Sequence, residues 1–208
     1  MKFEDQLKAE AESWTNPDTD VGDKLLRERI RHYGLIRSLL LDKLPTYRFD
    51  VLEVGGGPLP ISDLLPYSSR TVIDPCTEAY RAIAPCPDHY AGRIEDFRPE
   101  YADTFDLVIA TNSLDHVESP HRALASMSLA LRHGGYMAIL CCENNALNHP
   151  HPAHKVNLTV TDIHSELDAD YETVYQLTFE RDGFRYGWRR YDGVCGQPAF
   201  AWLGRKAY

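Results

Sequence analysis

The chain is short of positive charge, with 22 Lys and Arg against 31 Asp and Glu and a formal net charge of −9. Binding along phosphates needs clustered Lys and Arg, so the charge disfavours nucleic acid and anionic membrane as main partners, and neither is expected. No apolar run approaches the ~20 residues of a membrane-spanning helix. The five cysteines (Cys76, Cys86, Cys141, Cys142 and Cys195) contain no C-x-x-C pair and are odd in number. Reduced, mostly buried thiols are expected of them. The acidic start Met1-Lys2-Phe3-Glu4-Asp5 lacks the basic leader of a secretory signal, and a cytoplasmic location is expected. Internal repeats and low-complexity segments are lacking as well. What remains is a globular composition: 208 residues, 43% apolar, enough for one domain with a substantial core.

Residues 1–22 read as a polar lead-in and 23–208 as a single domain. Residues 24–44 carry Leu26, Ile30, Tyr33, Leu40 and Leu44 on one helical face, closed by Pro45. Strands are expected at 50–54, 70–73, 105–110 and 136–141, with a weaker one near 88–91. Helical segments separate them. The best marked is 120–132, with Ser119 as N-cap, Pro120 at the first helical position, and Gly134 and Gly135 as its stop. Short β-branched strands alternating with helices predict an α/β fold with a parallel sheet covered on both faces. Residues 172–179 and 199–206 read as a closing strand pair, more in keeping with antiparallel pairing.

The most telling stretch is Val51-Leu52-Glu53-Val54-Gly55-Gly56-Gly57-Pro58, an apolar strand that opens into a glycine turn. Glycine lets a backbone approach a ligand closely. The next strand ends at Asp74, where a carboxylate can accept hydrogen bonds from both hydroxyls of a ribose. A third strand, Phe105 to Thr111, runs into the polar tip Asn112-Ser113. All three features fall at carboxyl ends of parallel strands, where open sheets bind ligands. A tight turn without a ligand is the plain alternative for the glycines alone. A nicotinamide-dependent oxidoreductase fits less well. Pro60 stands where the dinucleotide fingerprint wants its last glycine, and no Tyr-x-x-x-Lys pair occurs in the chain.

Taken together, Leu52 to Pro58, Val72-Ile73-Asp74-Pro75, Phe105 to Val117 and Leu131 to Tyr136 resemble the class I S-adenosylmethionine-dependent methyltransferases of the type-11 group, in order and spacing. The resemblance implies a Rossmann-like fold, with a mostly parallel seven-stranded sheet and an antiparallel last strand. It implies S-adenosylmethionine as cofactor and S-adenosylhomocysteine as product. It also implies roles. Gly55, Gly56, Gly57 and Pro58 pass beside the methionine part, and Glu53 contacts its amino group, directly or through water. Asp74 holds the ribose, Pro75 lies near the adenine, Ile94 and Glu95 flank it, and Asn112 and Ser113 line the sulfonium. Arg93 stands where the family often has an acid. The helix at 24–44 is the expected lid, with Tyr33 as a contact.

The sulfonium already activates the methyl group, so positioning the nucleophile supplies much of the catalysis. A hydroxyl acceptor must also lose its proton, and histidine suits that near neutral pH. His116 follows the third strand tip and reads either as a base or as a packing residue. His149, His151 and His154 share a proline-stiffened loop and read as base, substrate clamp or metal ligands. Among these His154, His151 and His116 are the expected catalytic candidates, His154 foremost, and no metal is expected. Thr159 and Asp162 have the spacing of a cap for a helix at 160–167. The chain lacks the Asn-Pro-Pro-Tyr or Asp-Pro-Pro-Tyr tetrad that enzymes methylating base amines share. With the acidic charge, this points to a small-molecule acceptor, a hydroxyl on a sugar or specialised metabolite, with a homodimer left open. The aromatics Phe184, Tyr186, Trp188, Tyr191 and Trp202 could wall its pocket or pack the core. A non-catalytic binding protein of the same fold is the alternative from another class.

Overall fold

The computed structural model describes residues 3–15, 33–34, 37–81, 87–143, 147, 153–179 and 199–207. Seven strands form one sheet: β1 (Phe49–Val54), β2 (Tyr67–Ile73), β3 (His89–Tyr90), β4 (Phe105–Thr111), β5 (Leu131–Cys142), β6 (Tyr171–Phe179) and β7 (Ala199–Lys206). Their order is β3-β2-β1-β4-β5-β7-β6. Strand β7 runs antiparallel to both neighbours and the other six run parallel. The described helices are α1 (Phe3–Thr15), α2 (Thr77–Tyr80), α3 (Pro120–Ala130) and α4 (Val160–Leu167), with a helical segment at 37–43. The expected α/β architecture is the observed one, including the reversed last strand.

The central strands are buried on both sides because consecutive side chains alternate between two apolar layers. Leu52, Val54, Val108, Ala110, Met137 and Ile139 pack on one face with Leu124 and Met127 of α3 and Ile163 of α4. Val51, Leu107, Ile109, Ala138 and Leu140 pack on the other with Tyr33, Leu40, Leu44 and Ile61. Trp202 is fully buried in the first layer and its Nε1 donates to Thr173 Oγ1. It is a core residue. Phe184, Tyr186, Trp188 and Tyr191 lie outside the described residues.

Local chemistry sets the helix ends. Ser119 Oγ accepts from the Arg122 amide, and Pro120 opens α3. In α4 the capping box is complete: Thr159 Oγ1 accepts from the Asp162 amide, and the Asp162 carboxylate accepts from the Thr159 amide. The glycines behind α3 act differently from expectation. The helix ends at Ala130 and Leu131 is already extended. Gly134, at φ 73°, sits inside β5 where the register with β4 jumps from Phe105↔Leu131 to Leu107↔Tyr136. A left-handed residue thus absorbs extra chain in a bulge and does not stop a helix.

Two further differences concern the chain's start and its thiols. The lead-in contains α1, whose Trp14 meets Tyr80 of α2 edge-on at 6.3 Å. Residues 16–22, like Leu26 and Ile30, lie outside the described residues. Cys76 and Cys141 are buried free thiols, as expected, but Cys142 is disulfide-bonded. Among the described residues no helix is long and apolar enough to cross a membrane.

Candidate active site

The carboxyl ends of β1, β2 and β4 meet at one edge of the sheet, because parallel neighbours end on the same side. There β1 turns sharply. Gly55 has φ 67° and Gly57 φ 60°, a region that side chains other than those of Gly and Asn rarely enter. At Gly55 a second constraint applies: a Cβ would lie 2.3 Å from Ser113 Cβ. The tips of β1 and β4 are pressed together, and Ser113 Oγ donates to Val54 O at 2.8 Å. Asn112 also adopts positive φ (47°) and donates its amide to Leu140 O. Strain at a strand tip of this kind is held by the surrounding structure.

Asp74 organises the turn from β2. Its Oδ2 accepts from the Gly57 amide at 2.9 Å and its Oδ1 from the Cys76 amide at 2.8 Å. His89 of β3 holds the same glycine from behind, with Nε2 against Gly57 O at 3.0 Å, which makes Nε2 the protonated nitrogen. Asp74 is 5% exposed, and burial pushes its carboxyl above the usual range while the two amides pull it down. A carboxylate offers about four lone-pair directions. Two are taken by amides, so the oxygens retain capacity for two more donors.

Between these parts lies a cleft, partly open to solvent and lined by Gly55, Gly57, Asp74, Pro75, Ile94, Glu95, Asn112, Ser113 and His116 among others. Burial, first, and then the carboxylate of Asp74 push the neighbouring Cys76 thiol to about 12, so it stays protonated. Glu95 is buried, and its Oε1 accepts from the Glu118 amide at 2.8 Å, tying the loop after β4 to the loop after β3. Arg93 also lines the cavity and reaches Glu118 and Asp96.

Of the cofactor residues singled out in the sequence, Glu53, Gly56 and Pro58 do not line the cavity, and of the described catalytic candidates His116 lines it while His154 does not. Glu53 is 1% exposed, and its two oxygens accept from the amides of Ile61 and Ser62, both at 2.8 Å. It caps the 3₁₀ turn Ile61–Leu64 and thereby shapes the loop from behind. Burial raises its carboxyl above the usual range. At Gly56 a Cβ would meet Val72 Cγ1 at 2.7 Å and Pro60 Cβ at 3.0 Å, so this glycine answers to packing inside the protein.

Of the expected lid, residues 24–32 and 35–36 lie outside the described residues, and Tyr33 is buried in the opposite layer of the sheet; α1 supplies Gln6, Leu7 and Glu10 to the cavity wall. Gln6 is 2% exposed and its Nε2 donates to His116 O and Ala153 O, both at 2.7 Å. The polar composition of residues 1–22 hid this helix. The available signal was the seven-residue spacing of Leu7 and Trp14, two turns apart on one helical face.

The histidines divide. His149 and His151 lie outside the described residues. His116 and His154 come together at the rim, rings edge to face with centroids 4.9 Å apart. Both aim Nε2 at Asp115 Oδ2, at 3.5 Å and 3.7 Å. Asp115 is 1% exposed, and its carbonyl accepts from the amides of Lys155 and Val156, which brings the loop after β5 to the tip after β4.

A glycine turn after β1, an acid ending β2 and a sheet with only its last strand reversed define the class I S-adenosylmethionine-dependent methyltransferase fold. Within that class, residues 52–139 match the family model described as a methyltransferase domain, and the type-11 likeness seen in the sequence is borne out. S-adenosylmethionine is the cofactor of this domain. Solved structures share the fold. NodS, an N-methyltransferase from Bradyrhizobium japonicum WM9 solved with S-adenosyl-L-homocysteine, superposes with a TM-score of 0.68 at 18% identity, over 100% of both chains. A chain of the Haloferax volcanii complex with the Trm112 methyltransferase activator gives 0.70 at 15% identity, over 96% of this chain and 98% of that one. A methyltransferase of Thermotoga maritima gives 0.61 at 16%, over 88% and 97%. No curated protein matches the chain.

Proposed function

We propose that this S-adenosylmethionine-dependent methyltransferase methylates a hydroxyl of a small acceptor, a sugar or specialised metabolite, and releases S-adenosylhomocysteine. In this reading the ribose diol donates to the two remaining acceptor positions of Asp74. Adenine lies between Pro75 and Ile94, with Glu95 beside it. The methionine part passes Gly55 and Gly57, and Asn112 and Ser113 face the sulfonium. Glu53 acts at one remove by fixing the loop.

The observation that carries the acceptor assignment is the Asp115–His116–His154 cluster, whose His116 lines the cavity with Asp115 and His154 behind it. A hydroxyl needs its proton drawn off as the methyl group moves, and this cluster stands beside the strand tip that faces the sulfonium. The net charge of −9 disfavours a polyanionic acceptor. An amine acceptor is the second reading, favoured by the description of NodS as an N-methyltransferase. The test is transfer of label from [methyl-³H]S-adenosylmethionine to pooled hydroxyl and amine acceptors, with the product identified by mass spectrometry. Label on oxygen is expected. Label on nitrogen would overturn the hydroxyl assignment. Tight cofactor binding with no labelled product in either pool would favour the non-catalytic binding protein.

A further inference from the structure

We propose that Asp115, His116 and His154 together form a binding site for one divalent transition-metal ion. The inference rests on the reading of this edge as the acceptor's side and deepens it by assigning what draws off the proton.

Geometry decides between two uses of these groups. A carboxylate that orients an imidazole base does so through a direct hydrogen bond, ordinarily of ~2.7–3.2 Å. Here the two Nε2 atoms lie 3.5 Å and 3.7 Å from one and the same oxygen, Asp115 Oδ2. One donor atom from each of the three residues lies within 4.8 Å of the others. Ligand atoms bound to one tetrahedral ion at ~2.0–2.1 Å stand roughly 3.3 Å apart, so the two nitrogen–oxygen pairs are close to that spacing and side-chain rotation of up to about 1.5 Å closes the widest pair. Two imidazoles and one carboxylate suit zinc or a neighbouring first-row ion and leave coordination positions open for a ligand.

The surroundings have the form of a supporting shell. Glu10 Oε2 lies 3.8 Å from His116 Nδ1, at ion-pair distance and beyond a hydrogen bond, and adds negative charge beside the cluster. The Lys155 and Val156 amides bond to Asp115 O, and Gln6 bonds to the carbonyls of His116 and Ala153. Both loops that carry ligands are therefore tied together before any ion arrives. The site is shielded yet reachable: side-chain exposure is 2% for Asp115, 12% for His154 and 24% for His116, and His116 borders the cavity. With an ion held by these three residues, an acceptor hydroxyl would lose its proton to solvent more readily, and transfer would form the oxygen–methyl bond as the carbon–sulfur bond broke and left its electron pair on sulfur.

The experiment uses the full chain, without a histidine tag and stripped by EDTA, titrated with Co²⁺ and Zn²⁺ by calorimetry and visible absorption. Binding of one Co²⁺ per chain, with d–d bands and no thiolate charge-transfer band, is expected. His154→Ala, His116→Gln and Asp115→Asn should each weaken it about tenfold or more. S-adenosylhomocysteine binding by each variant shows that it is folded. No metal binding by stripped protein that still binds S-adenosylhomocysteine overturns the site. So does a loss confined to His154→Ala, which would place the ion elsewhere. Failure of S-adenosylhomocysteine binding in the wild type would instead strike at the methyltransferase reading, with the metal titration still read on its own.

Discussion

At the scale of single residues, the site depends on two kinds of constraint. Gly55 combines a left-handed backbone with direct contact against β4. Gly55→Ala should therefore destabilise the fold by about 2–6 kcal/mol, summing a backbone penalty and an overpacking penalty of roughly 1–3 kcal/mol each. Urea unfolding measures it, and a midpoint equal to that of wild type would refute the close approach of the strand tips. Asp74 is constrained electrostatically. Asp74→Ala should weaken S-adenosylhomocysteine binding by about 1.5–3 kcal/mol, the worth of hydrogen bonds to a charged group, as read by calorimetry. Unchanged affinity would remove Asp74 from the ribose. Glu53 shows the limit of reading single residues. A carboxylate next to glycines looked like a ligand contact, and its true neighbours, the amides of Ile61 and Ser62, depend on how the following turn folds back.

At the scale of elements, α1 is a cover whose contacts include Gln6 to two carbonyls, the Cys76 thiol to Leu7 O, Glu10 near His116, and Trp14 against Tyr80. Removing residues 1–15 should leave cooperative unfolding intact and speed release of S-adenosylhomocysteine at least several-fold in stopped-flow measurements, since release rates take most of such effects. An unaltered rate would show that α1 does not close over the ligand. Helix α4 carries a pH-dependent contact. His164 in its last turn is raised above 6.5, first by its hydrogen bond to Asp168, then by that to Gln176. A raised folded value means stability fully present below the unfolded value of 6.5 and lost as pH rises through the folded one. NMR titration should show this upward shift, and Asp168→Asn should abolish most of it. An ordinary His164 titration in the wild type would contradict the pairing.

At the scale of the molecule, ligand binding and folding are linked. If the cavity holds the cofactor, S-adenosylhomocysteine at a hundredfold excess over Kd should stabilise the protein by about 2.7 kcal/mol. For a domain of this size that is roughly 5–11 °C in Tm. NADH should give none of it. Equal shifts for both, or none for either, would count against the cofactor. Much of this architecture was legible in advance. The expected strands 50–54, 105–110 and 199–206 agree with β1, β4 and β7 to within a residue at each end, because alternating or continuous apolar runs are a local property. The Thr159 cap was legible for the same reason. The Gly134 bulge was not, since a glycine after a helix serves a stop and a bulge equally well until the strand register is known.

The sequence alone determined the sheet, the glycine turn and the acid at the end of β2, because each is encoded within a few consecutive residues and parallel strands bring their carboxyl ends to one edge. Tertiary structure decided which side chains face the cavity: Glu53 turned inward to cap a turn, α1 brought Gln6, Leu7 and Glu10 to the wall, and Asp115 drew His116 and His154 together. These last choices follow from contacts between segments far apart in the chain, for which neither spacing nor periodicity carries a signal.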